Sequence, residues 1–191
     1  VRLWVPRKFC RSERGKELGL KFRTSNELAA DVIREFPADL VRRFQVRALF
    51  DSGFLNKTVV DACRDRGFHF ISVAKSNRAF FPFTTSGKRR VSSYGPGVVR
   101  TYGKTIQLPG ARKPAKFRVA SRTGYMRGIG LVQVVFSKRL SDDSFIALVT
   151  DDTDLSPREV VSGYRARWPI EVTLKLLKQS LGFGQYQTTQ Y

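Results

Sequence analysis

Acidic residues are scarce in this chain: 16 Asp and Glu stand against 35 Lys and Arg, a formal net charge of +19 at pH 7. A balance so far from neutrality favours a polyanionic partner; the plainer reading is a solvated, highly soluble surface. Histidine is nearly absent, with His69 alone, and Cys10 and Cys63 stand far apart. Neither a disulfide framework nor a zinc site of the Cys/His kind can be assembled from these. Any metal would have to be held by carboxylates. No apolar run approaches the roughly 20 residues that a spanning helix needs, and no hydrophobic signal segment opens the sequence. Nucleic acid therefore suits the charge better than a membrane, and the expectation is a soluble, cytoplasmic chain. With 191 residues, 41% of them hydrophobic, it can build one ordinary domain, or one core with an insertion.

Residues 1–6 alternate apolar and polar and end in proline, as the tail of a strand would. Residues 9–22, basic and glycine-containing, read as a loop. Thr24 or Ser25 can cap a helix with apolar positions Leu28, Ala29, Val32, Ile33 and Phe36, ended or bent by Pro37. Residues 45–50 form a β-prone run stopped by the turn signal Asp51-Ser52-Gly53, which leaves Asp51 at a strand's carboxyl end. A helix over 57–66, with Val59, Val60 and Cys63 apolar and Gly67 closing it, leads to a strand over 68–74. Strand, helix, strand in this order is a βαβ unit. Its strands are expected to be parallel, with Asp51 at the edge where α/β sheets place their ligands.

Residues 75–139 change texture. Gly, Pro, Ser and Thr punctuate short aromatic and β-branched runs, which predicts antiparallel strands over 89–93, 98–102, 115–121 and 130–137, separated by Gly95-Pro96-Gly97, Pro109-Gly110 and Gly124. A buried strand over 145–150 follows. Ser156-Pro157-Arg158-Glu159 then has the form of a capping box with proline at the first helical position.

The next stretch sets one carboxylate among aromatic and basic residues. At about 100° per residue Tyr164, Arg167, Glu171 and Lys178 fall within a stripe about 60° wide, beside an apolar stripe of Ile170, Leu174, Leu177 and Leu181. Glu171 is thus expected at the rim of a core. Pro169 predicts a kink, or two abutting helices, around Trp168. Gly182 and Gly184 end the region. Phosphodiester chemistry with divalent metal needs clustered carboxylates, and Asp51 and Glu171 could meet if this helix packs on the sheet. Each also has a plain reading: Asp51 as a turn residue, Glu171 as a surface partner of Lys175 at i+4.

Tyr164, Arg167, Glu171 and Lys178, with two, three and six residues between them, resemble the YREK signature of bacterial insertion-sequence transposases of the insertion-sequence-four type, DDE enzymes with a ribonuclease H-like core. Arg167-Trp168 before Ile170-Glu171, the Leu-Phe-Asp-Ser-Gly run at Asp51, and residues 73–78 (Val-Ala-Lys-Ser-Asn-Arg) are similar to that group too. The resemblance implies an α/β ribonuclease H-like mixed sheet with flanking helices, interrupted by an antiparallel β-rich insertion. The core would be residues 1–78 and 141–191, the insertion 79–140. It implies cut-and-paste transposition of double-stranded DNA by a homodimer in a synaptic complex, in a nucleoid-associated setting. Asp51 would be the second aspartate and Glu171 the glutamate of a site holding Mg²⁺ or Mn²⁺, in two ions. Tyr164, Arg167, Lys175 and Lys178 would lie along DNA, and Trp168 would stack on a displaced base or sit in the core.

One departure from the family matters. A first aspartate on an opening strand is missing: Asp31 and Asp39 fall in or beside the first amphipathic helix, and Asp151-Asp152-Thr153 reads as turn and capping chemistry. The expectation is that the first aspartate lies upstream of Val1, in an N-terminally truncated chain that is inactive by itself. The competing reading is a non-catalytic, basic DNA-binding remnant, with salt-dependent, sequence-tolerant binding and no need of metal.

Overall fold

The computed structural model describes residues 5–110 and 113–180, except for the side chains of Glu171, Leu174 and Lys178. The strand tail expected before Val5 and the stop expected at Gly182 and Gly184 fall outside the described residues, as does Leu181. Residues 9–22, expected as loop, instead carry two short helices, α1 (Arg7–Cys10) and α2 (Glu13–Glu17). Ser12 caps the second by accepting the N–H of Gly15, a local signal hidden by the glycine.

Helix α3 (Ser25–Arg34) starts where expected, with the Thr24 hydroxyl and Glu27 carboxylate closing a reciprocal capping box. Ala29, Ile33 and Phe36 of the predicted stripe pack against the core and Ala30 is fully buried, while Val32, at 59% exposed, points away. Pro37 separates it from α4 (Ala38–Arg43). Strand β1 (Arg47–Phe50), helix α5 (Lys57–Asp65) and strand β2 (His69–Val73) form the expected unit, the strands pairing in parallel from Arg47 with His69 to Phe50 with Ser72. Asn56 caps α5, and Gly67 leaves it at φ 68°, where a side chain would be strained.

Beyond β2 come β3 (Ala79–Pro82), β4 (Arg89–Arg90), α6 (Val91–Tyr102), β5 (Lys104–Leu108), β6 (Ala115–Met126), β7 (Gly130–Arg139) and β8 (Phe145–Thr150). The strands join β1 and β2 in one sheet of order β1-β2-β8-β7-β6-β3-β4, with β5 also on β6. Every pair except β1–β2 is antiparallel.

Helix α6 overturns the strand predicted over 98–102, all but Arg89–Arg90 of the strand predicted over 89–93, and the turn predicted at Gly95-Pro96-Gly97. Its Val91, Val98 and Val99 are buried against the sheet, and Gly95 lies so close to Phe136 and Phe145 that a Cβ there would stand 2.5 Å from each ring. The glycine is present for close approach, and tertiary packing overrides the local breaker signal. Gly124 likewise interrupts nothing: it lies within β6, opposite Pro82 of β3.

The sheet is covered on both faces. On one, α3, α5 and α6 pack over Phe70, Val134, Phe136 and Val149. On the other, α7 (Pro157–Arg165) lays Val160 and Val161 on Ile71, Val119, Val135 and Leu148. Helix α8 (Trp168–Ser180) follows after a break. Among the described residues no helix is long and apolar enough to cross a membrane.

Candidate active site

Asp51 is the first residue past β1, and its backbone is fixed before its side chain does anything. Its carbonyl accepts the N–H of Phe54 at 2.9 Å, which closes the turn, and the hydroxyl of Ser72 from neighbouring β2 at 3.3 Å. Ser72 is fully buried and was not singled out from sequence. The available signal was a polar residue in the middle of the apolar run Phe70-Ile71-Ser72-Val73.

The topology brings α7 to this point. Because β8 is antiparallel to β2, β8 ends at the edge where β1 and β2 begin. There Asp151 accepts the N–H of Phe70 at 3.0 Å, and Asp152 pairs with Arg47 at 2.7 Å. The Ser156 hydroxyl and Glu159 carboxylate form the predicted capping box, and α7 runs back across the sheet. Nine helical residues and four strand residues each span about 13 Å, so the last turn of α7 reaches the edge where β1 ends.

Tyr164 and Arg167 therefore meet Asp51, 113 and 116 residues away in sequence. The Tyr164 hydroxyl donates to Oδ1 of Asp51 at 3.3 Å, and Nη1 of Arg167 lies 3.2 Å from the same oxygen. The guanidinium stands 5.3 Å from the centre of the Tyr164 ring. Burial pushes the Tyr164 phenol above the ordinary tyrosine range, and the Asp51 charge adds to that against an opposing effect of Arg167. The Asp51 side chain is 59% exposed, so screening holds the ion pair to about 0–1 kcal/mol. Its consequence is positional: two donors on one oxygen restrict the carboxylate's orientation.

The single helical stripe expected for Tyr164, Arg167, Glu171 and Lys178 does not occur. Tyr164 is on α7, Arg167 is in the joint, and Glu171 and Lys178 are on α8. As Pro169 predicted, the chain breaks: the N–H groups of Ala166 and Arg167 return to the carbonyls of Gly163 and Tyr164, three residues back, and α8 begins at Trp168. The backbone at Glu171 follows Arg167 by four residues, about one helical turn.

The expected burial of α8 is overturned as well. Ile170 is 56% and Leu177 37% exposed, so neither of the stripe's two described side chains is in the core. Trp168, at 67% exposed, has no core role. Lys175 is exposed too.

Asp151 and Asp152 follow β8 at the sheet edge opposite Asp51 and bond the Phe70 N–H and Arg47 rather than capping α7, which Ser156 does. Asp31 pairs with Arg23 and Arg34 beside α3. Among the described residues no three His, Cys, Asp or Glu side chains cluster as a metal site would require. Asp51 nevertheless suits a hard cation in part. A carboxylate offers about four lone-pair positions, so two donors on Oδ1 leave capacity, and Mg²⁺ sites commonly use one or two carboxylates with water and substrate phosphate.

Residues 23–190 match the sequence model of the family described as Transposase DDE domain. No curated protein matches the chain. The mixed sheet with helices on both faces is consistent with the ribonuclease H-like fold.

Proposed function

The chain belongs to the transposase DDE domain family, and from that premise we propose that it is the catalytic part of an insertion-sequence transposase of the YREK-signature group. It would cut phosphodiester bonds at element ends and join the freed 3′ ends to target DNA. The observation that carries this reading is the meeting of Tyr164 and Arg167 on Asp51, at the carboxyl edge of the parallel strand pair.

In this proposal Asp51 and Glu171 hold the divalent ions, Mg²⁺ or Mn²⁺. When bound, these would supply an activated nucleophile and charge stabilisation at the leaving oxygen of an in-line displacement. Tyr164 and Arg167 hold the Asp51 carboxylate in its working orientation, and Arg167, a planar fork, can share its donors with a phosphate oxygen when DNA enters. Lys175 and Lys178 contact the backbone as point charges, and exposed Trp168 offers a stacking face to a displaced base. A DDE site takes one more aspartate. Among the described residues strand β1 ends the sheet order, so a strand bearing that aspartate can pair along its edge. Residues 79–140 act as the insertion within the core, and two copies assemble around paired element ends.

Cleavage and joining of labelled duplex DNA by the full-length protein, in Mg²⁺ against chelator, test this. Both activities are expected to need metal and to fall to background in Asp51→Asn and Glu171→Ala. Tyr164→Phe, which removes only the hydroxyl held to Asp51, should raise the Mg²⁺ requirement roughly tenfold. Unchanged cleavage in Asp51→Asn would refute the assignment, and cleavage without joining would leave only a nuclease of the same fold.

A further inference from the structure

The sheet face that carries α7 is not covered to its end. Past the helix, Phe81 of β3 is paired with Tyr125 of β6, and Tyr125 with Leu131 of β7, so the three side chains form a cross-strand row on one face. They are 41%, 52% and 48% exposed. Phe83 follows Phe81 by two residues, which returns it to the same face, and is 69% exposed. Two adjacent strands thus offer aromatic rings to solvent, and a third a leucine, where a sheet ordinarily buries them or presents polar residues.

Charge identifies the occupant. From Arg66 to Ser141 the sequence holds sixteen Lys and Arg and not one Asp or Glu. This segment supplies the three strands and nearly all of the chain's net positive charge. Exposed Arg90 lies opposite Ala79, on the Phe81 side of β3, and exposed Arg127 follows β6 two residues after Tyr125. An apolar protein surface would gain nothing from a rim without carboxylates, whereas rings for stacking beside cations for phosphates are what an unpaired nucleic-acid strand requires.

We propose that Phe81, Phe83 and Tyr125, with Arg90 and Arg127, form a stacking platform for single-stranded DNA, separate from the Asp51 site. The row of residues across from Asp51 reaches β6 near Ser121, so Tyr125 lies four strands across and four residues along, roughly 23 Å away. Helix α7 lies between the two places on the same face. Stacking is tolerant of sequence and needs no metal, so the platform would hold an unpaired strand whatever its bases.

Fluorescence anisotropy of a labelled twelve-residue oligothymidylate, with the full chain in chelator, tests this independently of catalysis. The chain is expected to bind it, and Phe81→Ala with Tyr125→Ala to weaken binding by about tenfold or more while a duplex of equal length loses little. Both positions are exposed, so circular dichroism should show an intact fold. Arg90→Ala with Arg127→Ala should lower the slope of log affinity against log salt by about 1.4, at about 0.7 per phosphate contact. Oligothymidylate affinity unchanged in the folded aromatic variant would overturn the proposal. So would sedimentation showing that the same variant instead dissociates a dimer. Because no metal is present, failure here leaves the Asp51 assignment standing, and loss of cleavage in Asp51→Asn leaves this one standing.

Discussion

Replacing Gly95 by alanine and, separately, Gly97 by alanine should move stability in opposite directions, although the two glycines flank the same proline in the same helix. A Cβ at Gly95 would stand 2.5 Å from Cδ1 of Phe136 and 2.5 Å from Cζ of Phe145, while one at Gly97 meets nothing within 4 Å. The two rings cannot step aside separately, because they stack at 6.2 Å with an interplanar angle of 17° and Phe136 is fully buried. Overpacking of this kind costs about 1–3 kcal/mol, against about 0.5–1 kcal/mol gained by removing a glycine's backbone freedom from a helix. Gly95→Ala should therefore lose about 1–2 kcal/mol, and Gly97→Ala should gain about 0.5–1 kcal/mol. For a domain of this size the first corresponds to a fall in Tm of roughly 2–8 °C. Urea unfolding followed by circular dichroism reads both, as shifts in midpoint at unchanged slope. A stabilised Gly95→Ala, or a Gly97→Ala that is the worse of the two, would mean that residues 95–97 are the turn their sequence suggests and that α6 does not press on the aromatic pair.

Two further outcomes follow from single groups. Burial, with the Asp151 charge adding to it, pushes the Cys63 thiol up to about 12, so native protein at pH 8 should leave Cys63 unmodified by iodoacetamide and urea should expose it; labelling of Cys63 in the native protein at a free-thiol rate would contradict its place on the buried face of α5. Hydrogen bonds from the Ser156 hydroxyl and backbone hold the Glu159 carboxyl below its ordinary range. A depressed carboxylate stabilises above its unfolded pKa and loses that contribution as pH falls through the folded one, so Glu159→Gln should flatten the acid limb of a stability profile, and Ser156→Ala should cost about 1 kcal/mol at pH 7.

Where a residue's neighbours in sequence determine its structure, the sequence was readable. The caps at Thr24 and Ser156, the βαβ unit, Asp51 at its strand end and the break at Pro169 depend on residues a few positions away. Helix α6 was not readable, because what favours it over a Gly-Pro-Gly turn is the flat surface of Phe136 and Phe145, supplied from 40 to 50 residues further on. Periodicity alone likewise could not show that α8 exposes Ile170 and Leu177: an apolar stripe shows what could be buried, and the sheet face near it is already taken by α7. The spacing pointed to Tyr164 and Arg167, which do meet at Asp51, but with the wrong geometry, a straight helix in place of a joint. That Tyr164 and Arg167 would converge on Asp51 required the strand order, which rests on pairings across nearly the whole chain.

The joint gives the two proposed metal-holding carboxylates different kinds of support. Asp51 is positioned by a strand whose next residue back, Phe50, is in the core and whose turn is closed by Phe54 and Ser72. Tyr164 is positioned by α7, capped at one end and buried at Val160 and Val161. Helix α8 has no comparable anchor among its described side chains, which are exposed from Ile170 onward. The placement of the backbone at Glu171 is therefore set at Arg167, one turn earlier, where the chain is held to Asp51. A pair worth little in stability can still matter for geometry, because catalytic groups tolerate errors of only about 0.5 Å. Arg167 is then the residue through which a carboxylate on a helix whose described side chains are exposed is referred to one on a fixed strand, and a lysine there, a point charge on a flexible stem, would keep the charge without the same constraint.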